Sequence, residues 1–255
     1  MADILCAAPQ QPQTWLFVAI GFVAQLCDGA LGMGFGAIGT TALAAAGLPP
    51  AVASASINGA KIFTGLASGT AHLLLRNVNG PLLTALAAGG VVGGICGATL
   101  LAHVSGRAIS VAVSAYLLGL GIFILMRAFG ARGDGTGPRS AGGVGLLGGF
   151  FEAVAGVWGP LVTSNLIAFG ASPRHAIGTG SVAETLVAAM IFGVLVHHLG
   201  TARLSVTVLA LLAGAMFAAP LAARLTRVAP RRELMIGVGV LVVVLSLVRL
   251  GRELG

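Results

Sequence analysis

Four ionisable residues stand inside stretches of the chain that are otherwise apolar: Asp28, Lys61, Glu152 and Glu184. A lysine at mid-bilayer depth is unfavourable by roughly 2.5 to 3.5 kcal/mol even on a lenient insertion scale, so such groups face a bundle interior or a wet cavity. Their placement repeats. Sliding the second half of the chain onto the first by 123 positions lays Glu184 on Lys61, and puts Gly170, Pro173, Ala176 and Ala183 on Gly47, Pro50, Ala53 and Ala60. At a shift of 124, Glu152-x-x-x-Gly156 falls on Asp28-x-x-x-Gly32. Duplicated halves with ionisable groups at membrane depth describe a transporter whose site lies where the repeats meet.

Around Lys61, the residues Ser54, Asn58, Lys61, Gly65, Ser68 and His72 recur at spacings of three and four, which keeps them on one helix face. That face has to look inward. The matching stripe, Ser181, Glu184, Ala188, Ile191, Leu195 and His198, is mostly apolar after its first turn. Lys61 and Glu184 can form an ion pair joining the halves. Alternatively, Lys61 binds an anionic substrate while Glu184 releases it or takes up a proton.

Asp28 and Glu152 begin two glycine-broken stretches, Asp28-Gly-Ala-Leu-Gly-Met-Gly-Phe-Gly36 and Glu152 to Pro160. A carboxylate there either caps the free amides of a half-helix or couples transport to a proton gradient. Glycine backbone at Gly32 and Gly34 offers amide donors and a positive helix end to a small oxyanion. The substrate-binding candidates are therefore Lys61, Asn58, Gly32, Gly34, Ser181 and Trp158. The proton-coupling candidates are Glu184, Asp28 and Glu152, with Thr163, Ser164, Asn165 and Thr179 as neutral donors nearby.

The elements that must position these residues follow from composition. Only 8% of residues are charged and 57% are hydrophobic, with 40 glycines; a soluble domain carries about a quarter charged residues. The chain reads as an all-α polytopic membrane protein, with small residues for close helix approach. About 20 apolar residues cross a bilayer, and eight such segments occur: 15–46, 50–75, 81–103, 107–129, 144–170, 174–199, 203–224 and 232–250. They divide into a first membrane repeat, 1–130, a polar linker, 131–143, and a second repeat, 144–255. Residues 1–14 lack Lys and Arg, which argues against a cleaved secretory signal.

Segments one and five contain the glycine breaks, and Pro160 interrupts the second. Broken backbone at membrane depth requires protein or a wet cavity around it. If all eight segments cross, the arginines at segment ends and in the connections divide seven to six between the two faces. If segments one and five are re-entrant hairpins, the division is nine to four. The positive-inside rule favours the second path, with two inverted halves, a cytoplasmic linker and both termini outside.

Several classes are excluded. The net charge of +7 comes from 13 Arg and one Lys, and no basic stripe with interleaved aromatics marks a nucleic-acid surface. Cys6, Cys27 and Cys96 are odd in number and unrelated in spacing, against a disulfide framework or a zinc site. There is no His-Glu-x-x-His, Walker A loop or serine-hydrolase signature, so an enzyme or self-contained ATPase is disfavoured. Gly89, Gly93 and Gly97 form a small-residue ridge for helix packing or a subunit contact, which keeps a homo-oligomer open.

The stretch Asp28 to Gly36, then Gly47-Leu-Pro-Pro50 with Ala53-Ser-Ala-Ser56, and Phe63-Thr-Gly-Leu-Ala-Ser-Gly-Thr-Ala-His72 to Arg76-Asn-Val78 resemble the TauE/SafE family of sulfite exporters and related permeases. Trp158-Gly-Pro160, Ser172-Pro-Arg174, Ile177-Gly178 and Ala183-Glu184 resemble that family's second repeat. The resemblance covers nearly the whole chain. It implies a bacterial inner-membrane protein exporting a small sulfur-containing anion such as sulfite, sulfoacetate or another organosulfonate, without a covalent cofactor. Departures stand at Lys61, where many relatives carry an acidic residue, and at Glu152, where an aspartate is common. The expected function is secondary transport by alternating access, coupled to protons or membrane potential. The alternatives are import of thiosulfate or another small anion, and a non-transporting membrane subunit.

Overall fold

Backbone amides in hydrocarbon have no water to bond, so a chain this apolar has to satisfy them internally. The computed structural model describes residues 12–31, 34–104, 107–129, 141–168, 171, 173–200, 202–228 and 231–254. Among these it contains ten α-helices and no strand. They are α1 (Pro12–Leu31), α2 (Phe35–Ala45), α3 (Pro50–Leu74), α4 (Gly80–His103), α5 (Arg107–Ala128), α6 (Ala141–Ala155), α7 (Gly159–Ala168), α8 (Pro173–Leu199), α9 (Ala202–Val228) and α10 (Arg231–Leu254). By length and composition, stretches of α4, α8 and α10 are long and apolar enough to cross a membrane. Large side chains such as Phe63, Met216 and Phe217 point outward, as a lipid-facing surface requires. This is a multi-pass membrane protein.

The two long apolar segments are each split into half-helices. Gly34, at φ 125°, separates α1 from α2, and Gly156, at φ 70°, separates α6 from α7. Both angles lie where a side chain is strained and glycine is not. Pro160 sits in the first turn of α7, where its missing amide has no helical partner to lose. Of the linker, residues 131–140 lie outside the described residues. α6 already begins at Ala141, inside the stretch expected to be linker, and its first turn lies at Gly142 against Gly89, where a Cβ would not fit.

Helices pair across the halves. The main contacts are α1 with α9, α4 with α6, α3 with α8 and α5 with α10, joined by α4 with α8 and α3 with α9. Every pairing takes one helix from each half. Exchanging α1–α5 with α6–α10 in order maps this set onto itself. Gly89, Gly93 and Gly97 lie on the backbone of α6 at Gly142, Leu146 and Phe150 in constant register, so α4 and α6 run parallel. The glycine ridge is thus used within the chain and is not left open for a subunit contact.

Contacts between helix ends bear on the path. Arg174 Nε donates to Asn77 Oδ1 at 2.5 Å and its Nη2 donates to Leu75 O at 3.0 Å. Arg232 lies 5.1 Å from the ring centre of Phe129. At the opposite ends, Arg252 Nη1 donates to Ala45 O at 2.6 Å, and the rings of His103 and His198 lie 4.8 Å apart. Eight full crossings would place the members of each of these four pairs on opposite faces. A return of segments one and five to the face they entered by brings every pair together.

Candidate functional site

The two breaks meet at the middle of the molecule. A Cβ on Gly156 would stand 2.5 Å from the carbonyl carbon of Gly36, and one on Gly36 would stand 2.8 Å from Lys61 Nζ. Only paired glycines allow this backbone-to-backbone crossing, and it brings the half-helices within reach of α3 and α8.

Lys61 closes the crossing. Its Nζ donates to Glu152 Oε1 at 2.7 Å and to Glu184 Oε1 at 2.6 Å. Glu152 is fully buried, whereas 26% of the Glu184 side chain is exposed. An ammonium carries three donors, so one remains for a ligand. The pairing with Glu184 is the cross-repeat contact expected from the shift of 123. The pairing with Glu152 had no such signal, because the two residues belong to different registers of the repeat.

A cavity of about 270 Å³ opens beside this cluster. Gln25 and Asp28 of α1, Lys61, Thr64, Gly65, Ser68 and His72 of α3, and Ser181, Glu184 and Thr185 of α8 line it. So do Gly34–Phe35 and Gly159–Pro160, the starts of α2 and α7, with Thr163 one turn on. Two helix N-termini, each a positive dipole end, therefore border one cavity. Along α3, Ser54 and Asn58 are fully buried, Lys61 nearly so, and Ser68 is exposed. The cavity thus opens toward the face of Arg76 and Arg174.

The structure gathers Asp28, Gly34, Lys61, Ser181 and Glu184 at this cavity. Asp28 Oδ1 accepts the Phe35 amide at 3.2 Å, so this carboxylate caps α2. Ser181 Oγ lies 3.2 Å from Ser68 Oγ, across the two helices. Glu152 lies behind Lys61 and does not line the cavity. Asn58 is one turn deeper, donating from Nδ2 to Ser54 O at 2.9 Å. Trp158 is buried elsewhere: its Nε1 donates to Gly180 O at 3.0 Å, and its ring lies against Gly90 and Gly148. Gly32 lies outside the described residues, as does the side chain of Ser164. Thr179 accepts the Asn79 amide at 3.0 Å, a joint between helices rather than a cavity contact.

Gln25, Thr64 and Thr185 are cavity residues that sequence reasoning passed over. The available signal was spacing: Gln25 precedes Asp28 by three, Thr64 follows Lys61 by three, and Thr185 adjoins Glu184. With all four charged groups ionised, the cluster of Asp28, Lys61, Glu152 and Glu184 has a net charge of −2. It can accept an anion only if protons or the helix ends offset that excess.

The family model described as Sulfite exporter TauE/SafE matches residues 17–249 of the chain. The Probable membrane transporter protein YtnM of Bacillus subtilis (strain 168) is 34% identical over 222 residues, covering 83% of this chain and 74% of that protein. No solved structure matches.

Proposed function

Because the chain belongs to the TauE/SafE sulfite exporter family, a family of membrane transporters, we propose that it exports a small sulfur-containing oxyanion or organosulfonate across a bacterial inner membrane. The observation that carries this reading is the convergence of two half-helix N-termini, at Gly34–Phe35 and Gly159–Pro160, on a cavity walled by Lys61. Broken helices whose positive ends face a midplane site are suited to anionic substrate groups. Arginine placement supports a cytoplasmic assignment for the face of Arg76 and Arg174, so the open cavity loads from inside. The exchange symmetry of the helix pairs supports two inverted repeats.

In this reading the anion takes the third donor of Lys61 and the amides at the helix starts, and it displaces Glu184, the more accessible carboxylate. Glu152 stays with the lysine. Protons on Glu184 and Asp28 lower the negative charge facing the anion. An inside-negative potential drives an anion outward with about 2.3 kcal/mol per charge per 100 mV. Each proton that travels with the anion cancels one charge of that drive.

The test is a thermal-stabilisation screen of the purified protein against sulfite, sulfate, thiosulfate, sulfoacetate and taurine, followed by flux in proteoliposomes. Stabilisation by a sulfur anion, lost in Lys61→Met and Ser181→Ala, is the expected result. No stabilisation by any of them removes the sulfur-anion assignment.

A further inference from the structure

We infer that a second vestibule, closed in this structure, lies on the far side of the Lys61–Glu184 pair, toward Ala45 and Arg252, and that Thr40, Asn58 and Glu152 are its polar lining. The inference rests on the transport reading and adds the residues of the opposite pathway. Three residues of the open cavity, Thr163, Ser181 and Asp28, have repeat counterparts at Thr40, Asn58 and Glu152: the first two at the shift of 123, the third at 124. All three counterparts are buried, at 1%, 0% and 0% exposure.

An independent observation singles out the same residues. Among the described residues, six buried side-chain polar atoms lack a hydrogen-bond partner, and Thr40 Oγ1, Asn58 Oδ1 and Glu152 Oε2 are three of them. A fourth, Gln25 Oε1, belongs to a residue lining the open cavity. Buried acceptors without donors are uncommon and costly. Opening a wet vestibule on the far side would give these atoms water or a ligand to bond.

The counterparts also explain how the two sides differ. Thr64, Ser68 and His72 correspond to Val187, Ile191 and Leu195, each fully buried. The near vestibule therefore offers hydroxyl and imidazole groups, whereas the far one is walled by aliphatic side chains above a few polar atoms. An oxyanion is held on the near side and meets fewer donors on the far side, which favours release there. Asp28 meets near-side water, and its counterpart Glu152 meets far-side water.

Single cysteines test this on a chain whose Cys6, Cys27 and Cys96 are replaced by serine. Ser68→Cys, Asn58→Cys, Ile191→Cys, Leu195→Cys and the buried control Leu86→Cys are labelled with a membrane-impermeant maleimide, without added anion, in right-side-out and inverted vesicles. Ser68→Cys should react from the face of Arg76 and Arg174. Asn58→Cys, Ile191→Cys and Leu195→Cys should react only from the opposite face, at roughly 0.1–10% of the rate of an exposed thiol, the range for a minor conformer. Labelling no faster than Leu86→Cys from both faces, or labelling from the face that reaches Ser68→Cys, overturns the inference. Val187→Cys replaces any variant that fails to insert. Flux of sulfite, thiosulfate, sulfoacetate and taurine measured on unlabelled vesicles separates the two readings: flux without far-side labelling sinks the vestibule alone, whereas far-side labelling without flux of any of them sinks the sulfur-anion assignment and keeps the vestibule.

Discussion

Lys61 and Glu184 stand 123 residues apart in the chain and 2.6 Å apart at their charged atoms. Glu184 falls on Lys61 at the same shift of 123 that lays Gly170 and Pro173 on Gly47 and Pro50, so that alignment runs through the site itself. Glu152 takes a second donor of the same lysine from behind, and the cavity takes the remaining side. One ammonium thereby links the broken segment of Glu152 to both central helices.

Charge removal should discriminate between the two carboxylates. Lys61→Met leaves Glu152 buried without its cation, a loss of roughly 3–5 kcal/mol for a broken buried pair. The double variant Lys61→Met/Glu152→Gln should recover most of that, while Glu184→Gln, at a partly exposed side chain, costs little. Unfolding midpoints in detergent measure this. A double variant no more stable than Lys61→Met contradicts the pairing.

Anion affinity should rise as pH falls. Each proton taken up by a carboxylate that faces the ligand removes a negative charge, which gives a slope of up to about tenfold per pH unit for each proton linked. A sulfonate probe keeps its own charge constant across the titration. Glu184→Gln should flatten the slope, and an unchanged slope in that variant excludes Glu184 as the linked group.

The backbone crossing should tolerate no side chain. Gly156→Ala combines a left-handed backbone, costing about 1–2 kcal/mol, with a Cβ pressed on Gly36. Gly119→Ala, where a Cβ meets nothing within 4 Å, should be neutral or slightly stabilising as a helix substitution. Equal thermal stability of the two variants would contradict the crossing.

Ser181 and Trp158 should separate recognition from stability. Trp158→Phe loses the bond to Gly180 O and about 1 kcal/mol, with anion affinity retained. Ser181→Ala should weaken the anion and leave the unfolding midpoint in place. The reverse pattern in a binding titration would move the site away from the cavity.

Surface labelling should follow the re-entrant path. Asn77→Cys and a cysteine at Arg174 react from one face of the membrane, and a cysteine at Gly47 and a C-terminal tag from the other. Finding Asn77 and the C-terminus accessible from the same face would restore eight crossings.

Much of this architecture was legible one-dimensionally. The breaks fall where Gly34, Gly156 and Pro160 make continuous helix costly, and the expected segment ends lie within a few residues of most observed helix ends, because apolar runs and backbone punctuation are local properties. The depth of each side chain was not legible. Asn58 shares the polar face of Lys61 yet is buried one turn below the cavity, and Trp158 stands at a break yet fills a gap between α4, α6 and α8. Spacing along a helix gives the face of a residue, and only the neighbouring helices decide whether that face meets water.

The sequence by itself determined that the chain is a membrane protein, that Asp28, Lys61, Glu152 and Glu184 stand inside its apolar stretches, and that Glu184 falls on Lys61 at a shift of 123 residues. Tertiary structure alone decided that Glu152 is the lysine's second partner, that both half-helix starts point into one cavity, and that this cavity opens toward Arg76 and Arg174. The reason is physical. Those outcomes depend on how closely Gly36 and Gly156 approach, and that distance is set by the packing of helices far apart in the chain.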